Sequence, residues 1–302
     1  MPTQFVQVPD TPLLSDSRPL WRYMRLSTFF ALLDEYVFLP RVDSFHASDP
    51  MEDAVACEAP SIVGEWHNLG HVPKLESWLR TKAEPWEIPL LNANPHIRSE
   101  TWVRIWAREM ARRRAVWCWH ASDHESAAMW SIYAGAGVAV KTTAGTLKAA
   151  LPECYDFQIA RIKYISRHTA SPNALNPEGA AAKVLLQRPF LLKSQEFSHE
   201  QEVRVFTRCS PHQPGLMLFN LKSKELIQEV CLAPTIHHAE SESAVSLIKK
   251  QGLSVPVHRS EILGIKRQHD RTTYDLDRSI YDCNPIACLE DDQNLPEAFL
   301  GL

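Results

Sequence analysis

The sequence predicts an α+β fold, with short mixed or antiparallel strands, flanking helices and a helical insertion. Three observations carry that expectation. Runs such as Ala115-Val-Trp-Cys-Trp119-His120 and Val203-Arg-Val205-Phe206 are rich in β-branched and aromatic residues and have strand character. Other stretches space their apolar residues as a helix does, for example Phe29, Leu32, Leu33 and Tyr36. The chain holds only 10 glycines and contains neither G-x-G-x-x-G nor G-x-x-x-x-G-K-[ST], which argues against Rossmann and P-loop enzymes.

Taken in order, residues 1–19 are rich in Pro and Ser and are expected as an extended arm ahead of one α+β domain spanning 20–289. Leu20 to Arg25 predicts a strand, Ser27 is a candidate N-cap for a helix over 28–35, and Val37-Phe-Leu39 predicts a second strand. Asp49-Pro50 marks a turn into the acidic segment Glu52-Asp53. Residues 61–114 form a tryptophan-rich helical insertion punctuated by prolines, a candidate partner surface. Arg108, Arg112, Arg113 and Arg114 make its C-terminal end basic, which fits a solvated helix end better than a nucleic-acid patch.

After the strand 115–120, Ser122 and Glu125 have capping-box spacing ahead of a helix carrying Met129, Trp130 and Tyr133. A turn at Ala134–Gly137 leads to a strand at 138–142, a short helix at 143–151 and a strand at 158–164. A helix is expected over 180–192, then strands near 203–206, 217–221 and 226–232. A helix over 240–251 stopped by Gly252, and strands at 255–257 and 262–265, complete the domain. Residues 290–302 form an acidic tail.

Bulk properties exclude several functions. A net charge of −4 argues against a wholly basic nucleic-acid binder. Neither an apolar run of membrane-spanning length nor a signal peptide is apparent, so a cytoplasmic protein is expected. The seven cysteines are scattered and lack any C-x-x-C pair, which points to neither a disulfide framework nor a zinc site.

The densest chemistry lies in Lys193-Ser-Gln-Glu-Phe197-Ser-His199-Glu200-Gln-Glu202-Val-Arg204. Glu200, Glu202 and Arg204 are two residues apart, which places them in one row on a strand or the turn leading into it. The competing reading is a solvated strand face carrying an ion pair. Elsewhere, Arg22 reads as a surface arginine beside the arm. His120 is expected to be part-buried and hydrogen-bonded, and Cys118 to be a buried thiol. Asp49, Glu52, Asp53 and Glu58 fit a turn cap better than a metal site, and no metal is expected. Glu52 with Glu202 and Lys193 would make a nuclease triad, the alternative enzyme reading.

Four pieces occur in the order of a known family: Leu20-Trp-Arg22-Tyr23; Ser48-Asp-Pro-Met-Glu52; Cys118-Trp-His-Ala-Ser122 with Met129-Trp130-Ser-Ile-Tyr133; and Phe197-Ser-His199-Glu200-Gln-Glu202-Val-Arg204. Over residues 20–265 the chain resembles a bacterial domain-of-unknown-function family linked to abortive-infection phage-defence loci. That family's pattern runs L-Y-K-Y, N-D-P-F-E, M-W-S-x-Y and E-x-E-x-R. Ser48 and His199 depart from its usual Asn and Tyr. The order of Arg22, the Trp119–Ser122 strand end and Glu200-x-Glu202 is also similar to ADP-ribosyltransferase-like folds. That similarity implies NAD as the substrate, Glu202 and Glu200 as catalytic carboxylates, and Arg22, Tyr23, Ser122, Trp130 and Tyr133 on the nucleotide side. It further implies an effector acting on a nucleic acid or protein. A non-catalytic sensor or interaction module is the remaining alternative.

Overall fold

The computed structural model describes residues 2–47, 73–165 and 188–262, which fall in one compact unit, residues 1–262. Its strands are β1 (Gln4–Phe5), β2 (Pro19–Met24), β3 (Tyr36–Pro40), β4 (Arg114–His120), β5 (Val138–Thr143) and β6 (Gln158–Arg161). There follow β7 (Lys163–Ile165), β8 (Leu192–Ser194), β9 (Glu202–Arg208), β10 (Gly215–Phe219), β11 (Glu229–Leu232) and β12 (Val257–Arg259). Eight of them form one sheet in the order β1-β6-β9-β4-β2-β5-β11-β12, while β3 pairs with β10 and β7 with β8. Parallel and antiparallel neighbours both occur in the large sheet. With helices packed on it, the fold is α+β as expected.

The arm does more than lead into the domain. Gln4 and Phe5 pair with β6, and Val8 and Leu14 are buried. Side-chain alternation on β4 and β9 then builds two cores. Ala115, Trp117 and Trp119 join Val203 and Val205 in the larger one, which also takes Phe29, Leu32, Leu147 and Ile248 from three helices. Val116 and Phe206 point the other way, into a second core with Val103, Ala107, Met110 and Ala111. Those four belong to the helix Pro95–Ala111, whose start is set by Pro95 and by the Asn94 side chain accepting from the Ile97 amide at 3.1 Å.

This assignment redefines the helical insertion. Helices occupy Pro73–Arg80, Ile88–Leu91 and Pro95–Ala111. Trp102 is buried with Leu79, Leu91 and Ile105, and Trp78 and Trp106 pack against them. Trp86 is exposed, and Trp66 lies outside the described residues. The basic end is internally paired: Arg108 makes two 2.9 Å bonds to the fully buried carboxylate of Glu87, and Arg112 reaches Glu109 at 3.3 Å.

Several boundaries differ from expectation. The first helix is Leu26–Leu33, and its cap residue Arg25 makes no side-chain bond, so Ser27 is not a cap. Ser122 does not open a helix either. Ser126 caps the short Ala127–Met129 helix, which continues as one wide π turn over Trp130–Ala134. The strand expected over 158–164 breaks at Ile162 into β6 and β7. Ser223–Leu226 is helical, so the next strand begins only at Glu229. The expected helix over 180–192 gives way to a 3₁₀ turn at Pro189–Leu191 and then to β8, with residues before 188 undescribed. The acidic segment near Glu52, the loop at 172–177, the last expected strand beyond Ile262 and the acidic tail also lie outside the described residues.

Candidate functional site

The two neighbours of β4 meet it very differently. β9 pairs with it over seven residues, from Arg114↔Arg208 to His120↔Glu202. β2 meets it at one pair, Trp21↔His120. Beside these strands lies a cleft of about 580 Å³, lined by residues of β2, β4 and β9, a volume suited to a small-molecule ligand. Arg22, Tyr23, Tyr133, Glu200 and Glu202 all line it, together with Cys118, His120, Lys193 and Arg204.

Register explains the polar wall. Cys118 stands opposite Arg204 and His120 opposite Glu202, at the end of the row that begins with Val116 and Phe206 in the second core. Glu202 and Arg204 are buried, not a solvated strand face. Arg204 grips Glu202 through Nε to Oε1 at 2.5 Å and Nη2 to Oε2 at 3.1 Å, and gives Nη1 to the Phe190 carbonyl at 2.6 Å. Burial by itself would raise the Glu202 carboxyl. The Arg204 guanidinium, and after it the Lys193 ammonium, overcome that and hold it at about 2. Glu202 is therefore a fixed, ionised carboxylate at neutral pH.

Glu200 reaches the same wall by another route. It ends the 3₁₀ turn Gln195–Glu200 instead of lying on the strand, and the next residue, Gln201, takes the left-handed conformation at φ 40°. That step costs a non-glycine residue about 1–2 kcal/mol. It is held by the Gln201 amide donating to Ser198 O and the Ala121 amide donating to Gln201 O. The two carboxylates converge on Lys193, whose Nζ lies 2.7 Å from Glu200 Oε2 and 3.5 Å from Glu202 Oε2. The Tyr133 hydroxyl donates to Glu200 Oε1 at 2.6 Å. Partial burial and that bond keep the phenol protonated well above its ordinary range.

His120 is buried and its Nδ1 lies 2.6 Å from the Glu200 carbonyl, so this nitrogen carries the proton. Burial lowers its pKa, leaving a neutral imidazole with Nε2 as the acceptor. Cys118 is held well above its ordinary pKa by burial and by Glu202, to which its thiol hydrogen-bonds, so it is no nucleophile.

Arg22 stands on the β2 side. Its Nη1 donates to the Cys118 carbonyl and its guanidinium carbon lies 5.4 Å from the centre of the Trp117 ring. No carboxylate pairs with it among the described residues. Burial lowers its pKa to about 10, which still leaves it charged at neutral pH. Arg25 is exposed at the start of the first helix, so Arg22 is the guanidinium of the cleft.

Two of the expected nucleotide-side residues stand elsewhere. Trp130 is buried behind Tyr23, ring centres 5.1 Å apart at 86°, with its indole N–H on Glu125. Ser122 accepts from the His124 amide and its carbonyl receives Trp21 Nε1. Neither lines the cleft. Conversely, His120 and Cys118 join the site because of strand register, for which a single sequence carries no signal, while Arg204 stands in the row with Glu202 that its spacing predicts. Glu52, needed for a nuclease triad, lies outside the described residues.

No protein-family model matches the chain, and neither the curated proteins nor the solved structures include a significant match. No helix among the described residues is long and apolar enough to cross a membrane.

Proposed function

We propose that this chain is an ADP-ribosyltransferase-like enzyme that uses NAD. One observation carries the reading. A permanently ionised, immobile carboxylate, Glu202, and a guanidinium without an acidic partner among the described residues, Arg22, line the same cleft from its two sides.

Arg22 is suited to an oxygen of the NAD pyrophosphate, because a planar guanidinium with no carboxylate bonded to it among the described residues gains most from an incoming anion. The Tyr133 ring lies on the cleft and offers a face for the nicotinamide. In the reaction, the bond from ribose C1′ to the nicotinamide nitrogen breaks, and its electron pair leaves with the neutral nicotinamide. Positive charge grows on the ribose, and Glu202 stabilises it without having to move or lose a proton. The acceptor atom then bonds to C1′, and its proton passes to Glu200. Tyr133 and Lys193 hold Glu200 in place for that transfer. The acceptor is a nucleic acid or a protein. By the family resemblance the enzyme would act as an antiviral defence effector in the cytoplasm, where the four described cysteines, all free, would stay reduced.

The test is nicotinamide release from NAD by the purified full chain, with water, protein and nucleic-acid acceptors. Glu202→Gln should lower the rate by about 10²–10³-fold, the usual effect of losing one preorganised electrostatic group. A wild-type chain that neither binds nor consumes NAD, or a Glu202→Gln variant with undiminished turnover, would sink the reading. Chelator-sensitive cleavage of DNA or RNA without NAD consumption would replace it with a nuclease.

A further inference from the structure

A second cluster of chemically able side chains lies at the other end of the sheet. Cys231 on β11 and His258 on β12 are register partners in a parallel pair, so both side chains leave the same face side by side. Glu125, from the segment after β4, closes over them. One donor atom from each of the three lies within 4.8 Å of the other two. We propose that Glu125, Cys231 and His258 bind a divalent transition metal, zinc by their donor chemistry, and that this metal fastens residues 125–134 to the edge of the sheet.

The donor set carries the choice of metal. A thiol, an imidazole and a carboxylate together suit zinc, whereas hard cations favour oxygens alone. Zinc bonds of about 2.0–2.3 Å in a tetrahedron put neighbouring donors about 3.3–3.8 Å apart. The donors lie within 4.8 Å of one another, so binding would draw them together by about 1 Å or somewhat more. Three protein donors leave the fourth position for water.

The surroundings resemble the outer shell of a metal site. Trp130 Nε1 donates to Glu125 Oε2 at 2.9 Å, and the Ser260 hydroxyl donates to the same oxygen. Those bonds steady the carboxylate without engaging Oε1. Glu229 Oε1 lies 3.5 Å from His258 Nε2 and steadies the imidazole in turn. Metal binding would break the S–H bond, form a sulfur–metal bond and release the proton to solvent.

The consequence reaches the cleft. Glu125 holds Trp130, Trp130 packs edge-on against Tyr23, and Tyr133 three residues later donates to Glu200. A metal here would set the position of Tyr133 without touching the ligand of the cleft. Nothing in this inference rests on the NAD reading.

The experiment uses the full chain, stripped with a chelator and dialysed. Zinc binding is read by competition with a chromophoric chelator, and cobalt(II) is then substituted to look for thiolate-to-cobalt charge-transfer absorption. Wild type should hold one tight equivalent and show the band. His258→Ala should weaken that equivalent by more than about 100-fold, beyond the 10–100-fold expected from outer-shell changes. Cys231→Ser should abolish the band, while Cys154→Ser, at an exposed cysteine, should keep both. Zinc should raise the melting temperature of wild type and leave that of His258→Ala unchanged. His258 is exposed, so its removal tests the site even if Cys231→Ser folds poorly. A wild-type chain without a tight equivalent overturns the proposal, and so does His258→Ala that binds zinc and cobalt as wild type does.

Discussion

The two seams of β4 use the same strand in opposite ways. Against β9 the strand is zipped over its whole length, and the ends of the zipper differ in chemistry. Val116 and Phe206 sit in the second core, while Cys118, His120, Glu202 and Arg204 form a hydrogen-bonded polar end. Against β2 the pairing is reduced to Trp21↔His120, and residues of β2, β4 and β9 together line the cleft. The closed seam supplies rigidity and fixed charge, and the open seam supplies space and a cation with no carboxylate partner among the described residues. The lesson is one of placement. Along the closed seam register brings each buried charge its partner, whereas Arg22 on the open side is buried with a carbonyl and a ring beside it, which leaves it ready for an incoming anion.

The largest expected effect comes from breaking the closed seam. Arg204→Ala would leave Glu202 buried with only part of its counter-charge, and should cost about 3–5 kcal/mol of stability in urea unfolding. A change below about 1 kcal/mol would show that water, not Arg204, satisfies the carboxylate.

Next in size is the acid response of the same seam. Glu202 titrates at about 2 in the fold, against an ordinary 4.5. Its contribution is therefore complete above pH 4.5 and drains away as pH falls from there toward 2. Glu202→Gln should be less stable at neutral pH and should flatten the stability curve across that window. A curve of unchanged slope would mean another carboxylate dominates acid unfolding.

The open seam should behave in the contrary sense. Because burial disfavours the charged form of Arg22 and no acid among the described residues pairs with it, Arg22→Gln should leave stability within about 1 kcal/mol of wild type or raise it. The same substitution should weaken binding of an anionic ligand by tenfold or more. A strongly destabilised Arg22→Gln would make the residue a structural strut and erase the contrast between the seams.

How much of this was legible in the sequence follows the range of the interactions. The strands β2, β4, β5 and β9 announce themselves by composition and alternation, because each strand's residues suffice to make the pattern. The starts of the Leu26–Leu33 and Ala127–Met129 helices escape the sequence for a local reason. Ser27 and Ser122 have capping side chains, but the helices begin at Leu26 and after Ser126. The burial of Glu202 was hidden by its pattern. Glu202, Val203, Arg204 and Val205 alternate as a half-solvated strand would, and the cover on the polar side comes from remote segments such as Phe190 and the helix 95–111. Lys193 and Glu200 meet through a 3₁₀ turn with a left-handed exit at a glutamine, where no glycine flags the bend. Trp130 and Tyr133 look alike as helix-face aromatics, yet the π turn sends one behind Tyr23 and the other into the cleft. The Glu125, Cys231 and His258 cluster is assembled from three distant segments and has no spacing motif to betray it.

The role of the open seam is tested by calorimetric titration of NAD into the wild-type chain and into Arg22→Gln, both first shown to be folded. Wild type should bind saturably and one-to-one, and the substitution should weaken that binding at least tenfold. Binding of equal strength to both, or to neither, would contradict it.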